Sequence, residues 1–331
     1  MYSQTTSRKL TGTLIAAFLT TAPLGCGPSA YKITPVPVDK TLEEKELARE
    51  GAFAADKIVL IDVDGILMNQ AEQKFFGEGE HPVALLLEKL RKAENDSQVC
   101  GIVLRINSPG GSVTASDLMY QEILNFRTRT KKPVVAVMMD VAASGGYYIA
   151  CACDQIIAHR TTVTGSIGVI MQLFNLQRTL DKIGVKIEAI KSGPIKDAGS
   201  PFRDLTDDER KLFQSIIDEF YERFLAVVKA GRKDLSEEKI RALADGRVYT
   251  GQQALAEGLV DRIGTLRDGI NLVQEKSGAK KIKLVTYSRP LQWKPNIYAH
   301  TPNPGPATTL QVQLPPWLTN PSPRFMYLWM P

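Results

Sequence analysis

From Lys57 onward the chain alternates short β-branched apolar runs with stretches of helical period, and the apolar runs hold almost no polar residues. Ile58–Val63, Val99–Ile106 and Pro133–Met139 read as strands, with helices predicted between them near Pro82–Glu94 and Ala115–Arg127. A strand that is apolar on both faces belongs inside a sheet covered on both sides, and parallel strands need long crossovers, which helices supply. The expected core is therefore α/β, a parallel sheet with helical crossovers, followed by C-terminal helices.

Past this core, Lys186–Ile190 reads as a further strand and Lys191–Arg203 as a loop. Thr206-Asp207-Asp208-Glu209 is a capping box, so a long amphipathic helix opens there and runs to Ala230. Shorter helices follow near Ser236–Ala244 and Gly251–Glu257, then a last strand at Lys281–Tyr287. Residues 51–288 thus form the expected globular domain, and 44% hydrophobic composition over 331 residues gives it a sizeable core.

The two ends obey different rules. Arg8 and Lys9 precede the uncharged stretch Leu10 to Leu24, and Leu24-Gly25-Cys26 closes it. That stretch is short for a spanning helix, which needs about 20 residues, and residues 1–26 read as an export signal or membrane anchor. Residues 27–50 read as a tether that begins to turn helical at Thr41. Ten of the nineteen prolines fall between Pro290 and Pro331, so residues 289–331 read as a tail that continues neither sheet nor helix. Its tip, Arg324 to Trp329, is apolar enough to dock on a neighbouring subunit or touch a bilayer interface.

Several function classes drop out. The 41 basic and 36 acidic residues are scattered, without the basic stripe that a phosphate backbone requires, so nucleic acid is not an implied partner. Beyond Cys26 the cysteines are Cys100, Cys151 and Cys153. They suggest buried thiols rather than a disulfide framework, and a Cys-x-Cys pair without further Cys or His partners makes a poor zinc site. No metal or organic cofactor is expected.

Three loops of small residues can carry chemistry. Asn107-Ser108-Pro109-Gly110-Gly111-Ser112 follows a strand, and its glycines let backbone N–H groups approach a ligand closely, as in an oxyanion hole or an ordinary turn. Ser144, in Ala142-Ala143-Ser144-Gly145-Gly146, lies at a predicted strand-to-helix junction, where unpaired N–H groups favour a nucleophile and where serine is also a common helix cap. A serine nucleophile needs a base. His81 lies in a charged, exposed helix start and His300 in the proline tail, and His159 follows a strand without an obvious acidic partner. Lys196, in the loop after Lys191-Ser192-Gly193, is the other candidate. A lysine acting as base near neutral pH must fall from about 10.4 to about 7–8, which burial away from other charges achieves.

Taken together and in order, Asn107–Gly111, Ala143-Ser144-Gly145-Gly146-Tyr147-Tyr148, Thr164-Gly165-Ser166-Ile167-Gly168-Val169, and Lys191-Ser192-Gly193 with Lys196-Asp197 resemble the signal peptide peptidase A family. A further block, Ala244-Asp245-Gly246-Arg247-Val248-Tyr249-Thr250-Gly251 with Gly258-Leu259-Val260-Asp261, resembles that family's C-terminal signature. The resemblance implies a Clp protease/crotonase-like spiral core. It implies Ser144 as nucleophile, Lys196 as general base, Gly111 and Gly145 as the oxyanion hole, and Ser166 as a hydroxyl orienting the lysine. It further implies hydrophobic peptides as substrates and a homo-oligomeric ring in which neighbouring subunits share each site. The expected location is a bacterial cell envelope, with the catalytic domain held outside the cytoplasm by the N-terminal segment. The Leu-Gly-Cys ending is similar to bacterial lipoprotein signals, although Pro23 stands where those carry an aliphatic residue; Cys26 is thus a candidate lipidation site, with an uncleaved anchor as the rival. Two other readings use the same loops: an inactive membrane-associated scaffold, and a crotonase-like acyl-CoA enzyme whose paired acidic catalysts are not evident.

Overall fold

The computed structural model describes residues 41–70, 80–289 and 325–330. The predicted export segment, including Cys26, lies outside the described residues. Among them no helix is long and apolar enough to cross a membrane.

The strands are β1 (Glu43–Arg49), β2 (Asp56–Asp64), β3 (Val99–Ser108), β4 (Gly110–Ser112), β5 (Val134–Ala143), β6 (Gln155–Ala158), β7 (Val163–Gly165), β8 (Ile170–Met171), β9 (Val248–Thr250), β10 (Arg262–Ile263), β11 (Ile282–Ser288) and β12 (Phe325–Leu328). The helices are α1 (Pro82–Asn95), α2 (Val113–Thr130), α3 (Gly145–Ala150), α4 (Gln177–Lys182), α5 (Asp207–Gly231), α6 (Glu237–Leu243), α7 (Gly251–Ala256) and α8 (Leu266–Ser277). The main sheet runs β1-β11-β2-β3-β5-β6-β10, parallel from β11 to β10, with β1 antiparallel at one edge.

The alternation along each strand divides the core as expected for a doubly covered sheet. Val59, Ile61, Ile102, Leu104 and Ala136 pack into the larger apolar cluster with residues of α1 and α2. Ile58, Leu60, Val103, Val135 and Val137 face the other side, where Leu266, Ile270, Leu272 and Val273 of α8 cover them. The α/β fold is that of the Clp protease/crotonase group.

The strand β5 positions the site. Its first half pairs with β6 through Val135–Met138, and its last residues pair instead with β7, Val141 opposite Val163 and Ala143 opposite Gly165. The pairing of β3 with β5 also shifts register between Ile106 and Ser108. There Asn107 Oδ1 accepts from Val141 N–H at 3.2 Å. The carboxyl ends of β3 and β5 therefore bend together, and ligand sites of α/β sheets form at such strand ends.

Three expectations are corrected. The segment after Thr41 is not a helix start: Glu43–Arg49 is an edge strand, because antiparallel pairing with β11 outweighs the helix propensity of its charged residues. Residues 186–190 are not a strand: they lie exposed with no pairing partner among the described residues. The proline-rich tail does form sheet at its tip, since Phe325–Leu328, a run without proline, pairs with both β4 and β8.

Candidate active site

Ser144 follows β5 directly and sits at the N-cap of α3 with φ 52° and ψ −115°, a region a non-glycine residue occupies only when its surroundings hold it, at a cost of about 1–3 kcal/mol. Two backbone bonds hold it. Its N–H donates to Gly165 O at 2.7 Å, and its carbonyl accepts from Tyr148 N–H at 2.9 Å. The residue is 1% exposed, and its side chain caps no helix N–H, which leaves the hydroxyl free of the usual structural duty of an N-cap serine.

The glycines beside it make close approach possible. A Cβ on Gly110, itself at φ 101°, would stand 2.7 Å from Gly145 N, and one on Gly146 would stand 2.7 Å from Ser108 O. The Gly110-Gly111 loop and the start of α3 thus touch backbone to backbone. Ser108 fixes the loop: its hydroxyl donates to Gly65 O at 2.6 Å and accepts from Gly110 N–H at 3.1 Å. Gly111 bridges to Leu67, whose backbone leaves no room for a side chain there.

Ser166 follows Gly165 directly and is also at positive φ, 49°. Its N–H donates to Arg247 O at 2.8 Å, and Gly251 N–H donates to Thr162 O at 2.8 Å. The Tyr147 hydroxyl donates to Leu259 O at 2.8 Å. The block 244–261 thus acts as a scaffold that props the turns carrying Ser144 and Ser166. Ser144, Gly111, Gly145 and Ser166 converge at one end of the sheet.

Lys196 is not part of that cluster. It lies exposed in a turn, where its N–H donates to Gly193 O at 3.2 Å, and among the described residues its side chain makes no hydrogen bond or ion pair. The turn itself is anchored. Asp197 accepts from Lys191 at 2.6 Å and from Arg203 at 2.7 Å, and Arg203 also pairs with the buried Glu209. Hydrogen bonds from Arg203, then Lys191, hold the Asp197 carboxyl well below the usual carboxylate range, and Arg203 holds Glu209 down to about 2.

Around this loop is an exposed apolar row, with Leu176, Ile183, Val185, Ile187, Ile190 and Ile195 each at least 42% exposed. His159 is tied to Thr161, its Nδ1 lying 2.9 Å from Thr161 Oγ1, and makes no hydrogen bond to Ser144. Cys151 and Cys153 are buried, and burial pushes the Cys151 thiol up to about 12; Cys100 is only half-buried.

Two groups escaped the sequence reading. Ser108, inside a recognised motif, carries the bonds that shape the glycine loop. Tyr148 joins an aromatic cluster with Tyr120, Phe224 and Tyr327 and donates its hydroxyl to Asp117 at 2.5 Å. Its partner Tyr327 lies 179 positions away in the chain, and no local pattern announces that contact.

Residues 127–280 match the sequence profile of Peptidase family S49. A candidate protease of Synechocystis is 42% identical over 204 residues, covering 61% of this chain and 73% of that protein. A candidate signal peptide peptidase SppA of Enterococcus faecium is 35% identical over 243 residues, covering 73% and 70%. The chloroplastic serine protease SPPA of Arabidopsis thaliana is 39% identical over 216 residues, covering 64% of this chain and 32% of that longer protein.

Proposed function

Since the chain belongs to the signal peptide peptidase A family, peptidase family S49, we propose that this serine peptidase works with a dyad of Ser144 and Lys196 on hydrophobic peptides such as released signal peptides. The observation that carries the reading is the strained Ser144 at the sheet's end, with the glycine loop backed against it. In the reaction, neutral Lys196 Nζ takes the proton from Ser144 Oγ as the oxygen attacks the peptide carbonyl carbon. The N–H groups of Gly111 and Gly145 receive the negative oxygen, a role worth about 2.7–4 kcal/mol per donor. Lysine then returns the proton to the departing amine, and water releases the acyl group from serine. The Ser166 hydroxyl orients the lysine.

Lys196 of one copy serves Ser144 of the next in this reading. The exposed lysine supports it, as does the apolar row beside it, which a neighbouring subunit would cover. Closure of that interface, and of a hydrophobic substrate, would remove water from the lysine and favour its neutral form. The enzyme would act in a bacterial cell envelope, outside the cytoplasm, held there by residues 1–26. The test is cleavage of a fluorogenic hydrophobic peptide by the assembled chain. Wild type should cleave it, and Ser144→Ala and Lys196→Ala should assemble yet fall to background. Full activity in Lys196→Ala would return His159 to consideration as base.

A further inference from the structure

The guanidinium of Arg203 ties the loop that carries Lys196 to the start of α5. Its Nε donates to Asp197 Oδ2 at 2.9 Å and its Nη2 to Asp197 Oδ1 at 2.7 Å, a two-pronged pair, and Nη2 also reaches the Asp197 carbonyl oxygen at 3.1 Å. Nη1 donates to the Asp204 carbonyl oxygen at 3.0 Å and to Glu209 Oε2 at 2.9 Å. Glu209 is 1% exposed and belongs to the capping box of α5, where its Oε2 accepts from Thr206 N–H at 3.0 Å. One side chain thus holds both the backbone and the carboxylate of the residue next to Lys196, and fixes them on a helix start.

The rest of that loop is a run of overlapping exposed turns, with Ala198 N–H donating to Ile195 O and Ser200 N–H to Asp197 O, each at 3.0 Å. Turns with little buried surface open easily, so the clamp is what orders this one. It also governs charge. A carboxylate within about 4–6 Å of a lysine favours the ammonium form, which cannot accept a proton. Asp197 is the carboxylate adjacent to Lys196 in the chain, yet both its oxygens are taken, Oδ1 by Lys191 at 2.6 Å and by Arg203, Oδ2 by Arg203 alone. Among the described residues, Lys191 and Arg203 are the charged groups that face the Asp197 carboxylate, and Asp197 and Glu209 those that face the guanidinium. Asp204, beside them, is held by Asn175 Nδ2 at 2.6 Å.

From this arrangement we infer that Arg203 is a positioning residue for the proposed base: by holding Asp197, together with Lys191, it keeps that carboxylate from capturing Lys196 and leaves the lysine available to Ser144. The inference rests on the dyad reading for its effect on turnover, but not for its effect on Lys196 itself.

The test follows Lys196 directly, by competitive acetylation with acetic anhydride across pH on the assembled full chain, read by peptide mass spectrometry. Kinetics on a fluorogenic hydrophobic peptide run beside it. Arg203→Gln should raise the pH midpoint of Lys196 acetylation by about one unit. It should lower kcat about tenfold near neutral pH while KM changes less than about threefold, and the deficit should narrow at least threefold about two pH units higher, where the lysine is again neutral. Adding Asp197→Asn should return the midpoint to the native value or below and recover kcat at least threefold, a coupling that a mere brace would not show.

An unmoved midpoint in Arg203→Gln, a raised midpoint that Asp197→Asn leaves in place, or a kcat deficit equal at both pH values would overturn the inference. Because Arg203→Gln leaves Glu209 buried without its partner, Arg203→Gln/Glu209→Gln serves as the second variant and should show the same midpoint. Loss of cooperative melting in both would also overturn the inference, by making the clamp part of the fold. If the midpoints move as stated while no form cleaves peptide, the proposed function fails and the link from Arg203 to Lys196 stands. If cleavage needs Ser144 and Lys196 while the midpoints stay fixed, the dyad stands and the inference fails.

Discussion

The backbone N–H of Ser144 donates to the carbonyl oxygen of Gly165 at 2.7 Å, and both residues lie at positive φ, 52° and 82°. One bond thus joins two strained turns, one bearing the proposed nucleophile and the other leading into Ser166. A Cβ on Gly165 would stand 2.5 Å from the Tyr249 ring, and its φ disfavours any side chain. Gly165→Ala is expected to cost about 1–3 kcal/mol of stability by denaturant melting. It should also lower kcat at least tenfold, because Ser144 moves with its partner. Unchanged kcat in a destabilised variant would break that link.

The dyad makes a prediction about assembly. Ser144→Ala and Lys196→Ala should each lower kcat about a thousandfold or more. Neither should change stability by more than about 0.5 kcal/mol, since neither side chain holds a structural contact among the described residues. Co-expressed, the two variants should regain activity, because some interfaces then unite an intact serine with an intact lysine. Mixed assemblies that stay inactive would put both residues in one subunit.

Acid should loosen the lysine loop. Glu209, normally near 4.5, is held down to about 2 by Arg203, so its contribution to stability is complete above about pH 4.5 and is lost as pH falls through about 2. Asp197 is shifted in the same direction by the same arginine. Glu209→Gln should cost about 1.5–3 kcal/mol at pH 7, the range for hydrogen bonds to charged groups. The difference in Tm from wild type should shrink between pH 4.5 and 2. A gap independent of pH would assign Glu209 a packing role instead.

Tyr147→Phe tests the scaffold behind α3. It leaves the Leu259 carbonyl without its buried donor, at an expected cost of about 1–3 kcal/mol. Activity should fall less than tenfold, since the ring still fills its place; a larger loss would mean that this bond also sets the position of Ser144.

Much of this was legible in the chain itself. Doubly apolar runs such as Val99–Ile106 report a covered parallel sheet, and the capping box at Thr206 announces α5, because both are local patterns with local causes. The glycines at 110, 111, 145 and 146 pointed to close backbone approach, which the structure shows at each of them. What failed was non-local. Residues 43–49 look helical until β11 supplies an edge, and residues 186–190 look like a strand until no neighbour appears among the described residues. The pairing of Phe325–Leu328 with β4 and β8 depends on segments more than 150 positions apart, for which composition offers only the count of prolines around it.

The most direct test of the central claim is labelling with a serine-reactive phosphonate, followed by peptide mapping, on the native chain and on Lys196→Ala. The account predicts one adduct, on Ser144, slowed at least a hundredfold in Lys196→Ala. An adduct on another residue, or continued peptide cleavage with Ser144 unlabelled, would contradict it.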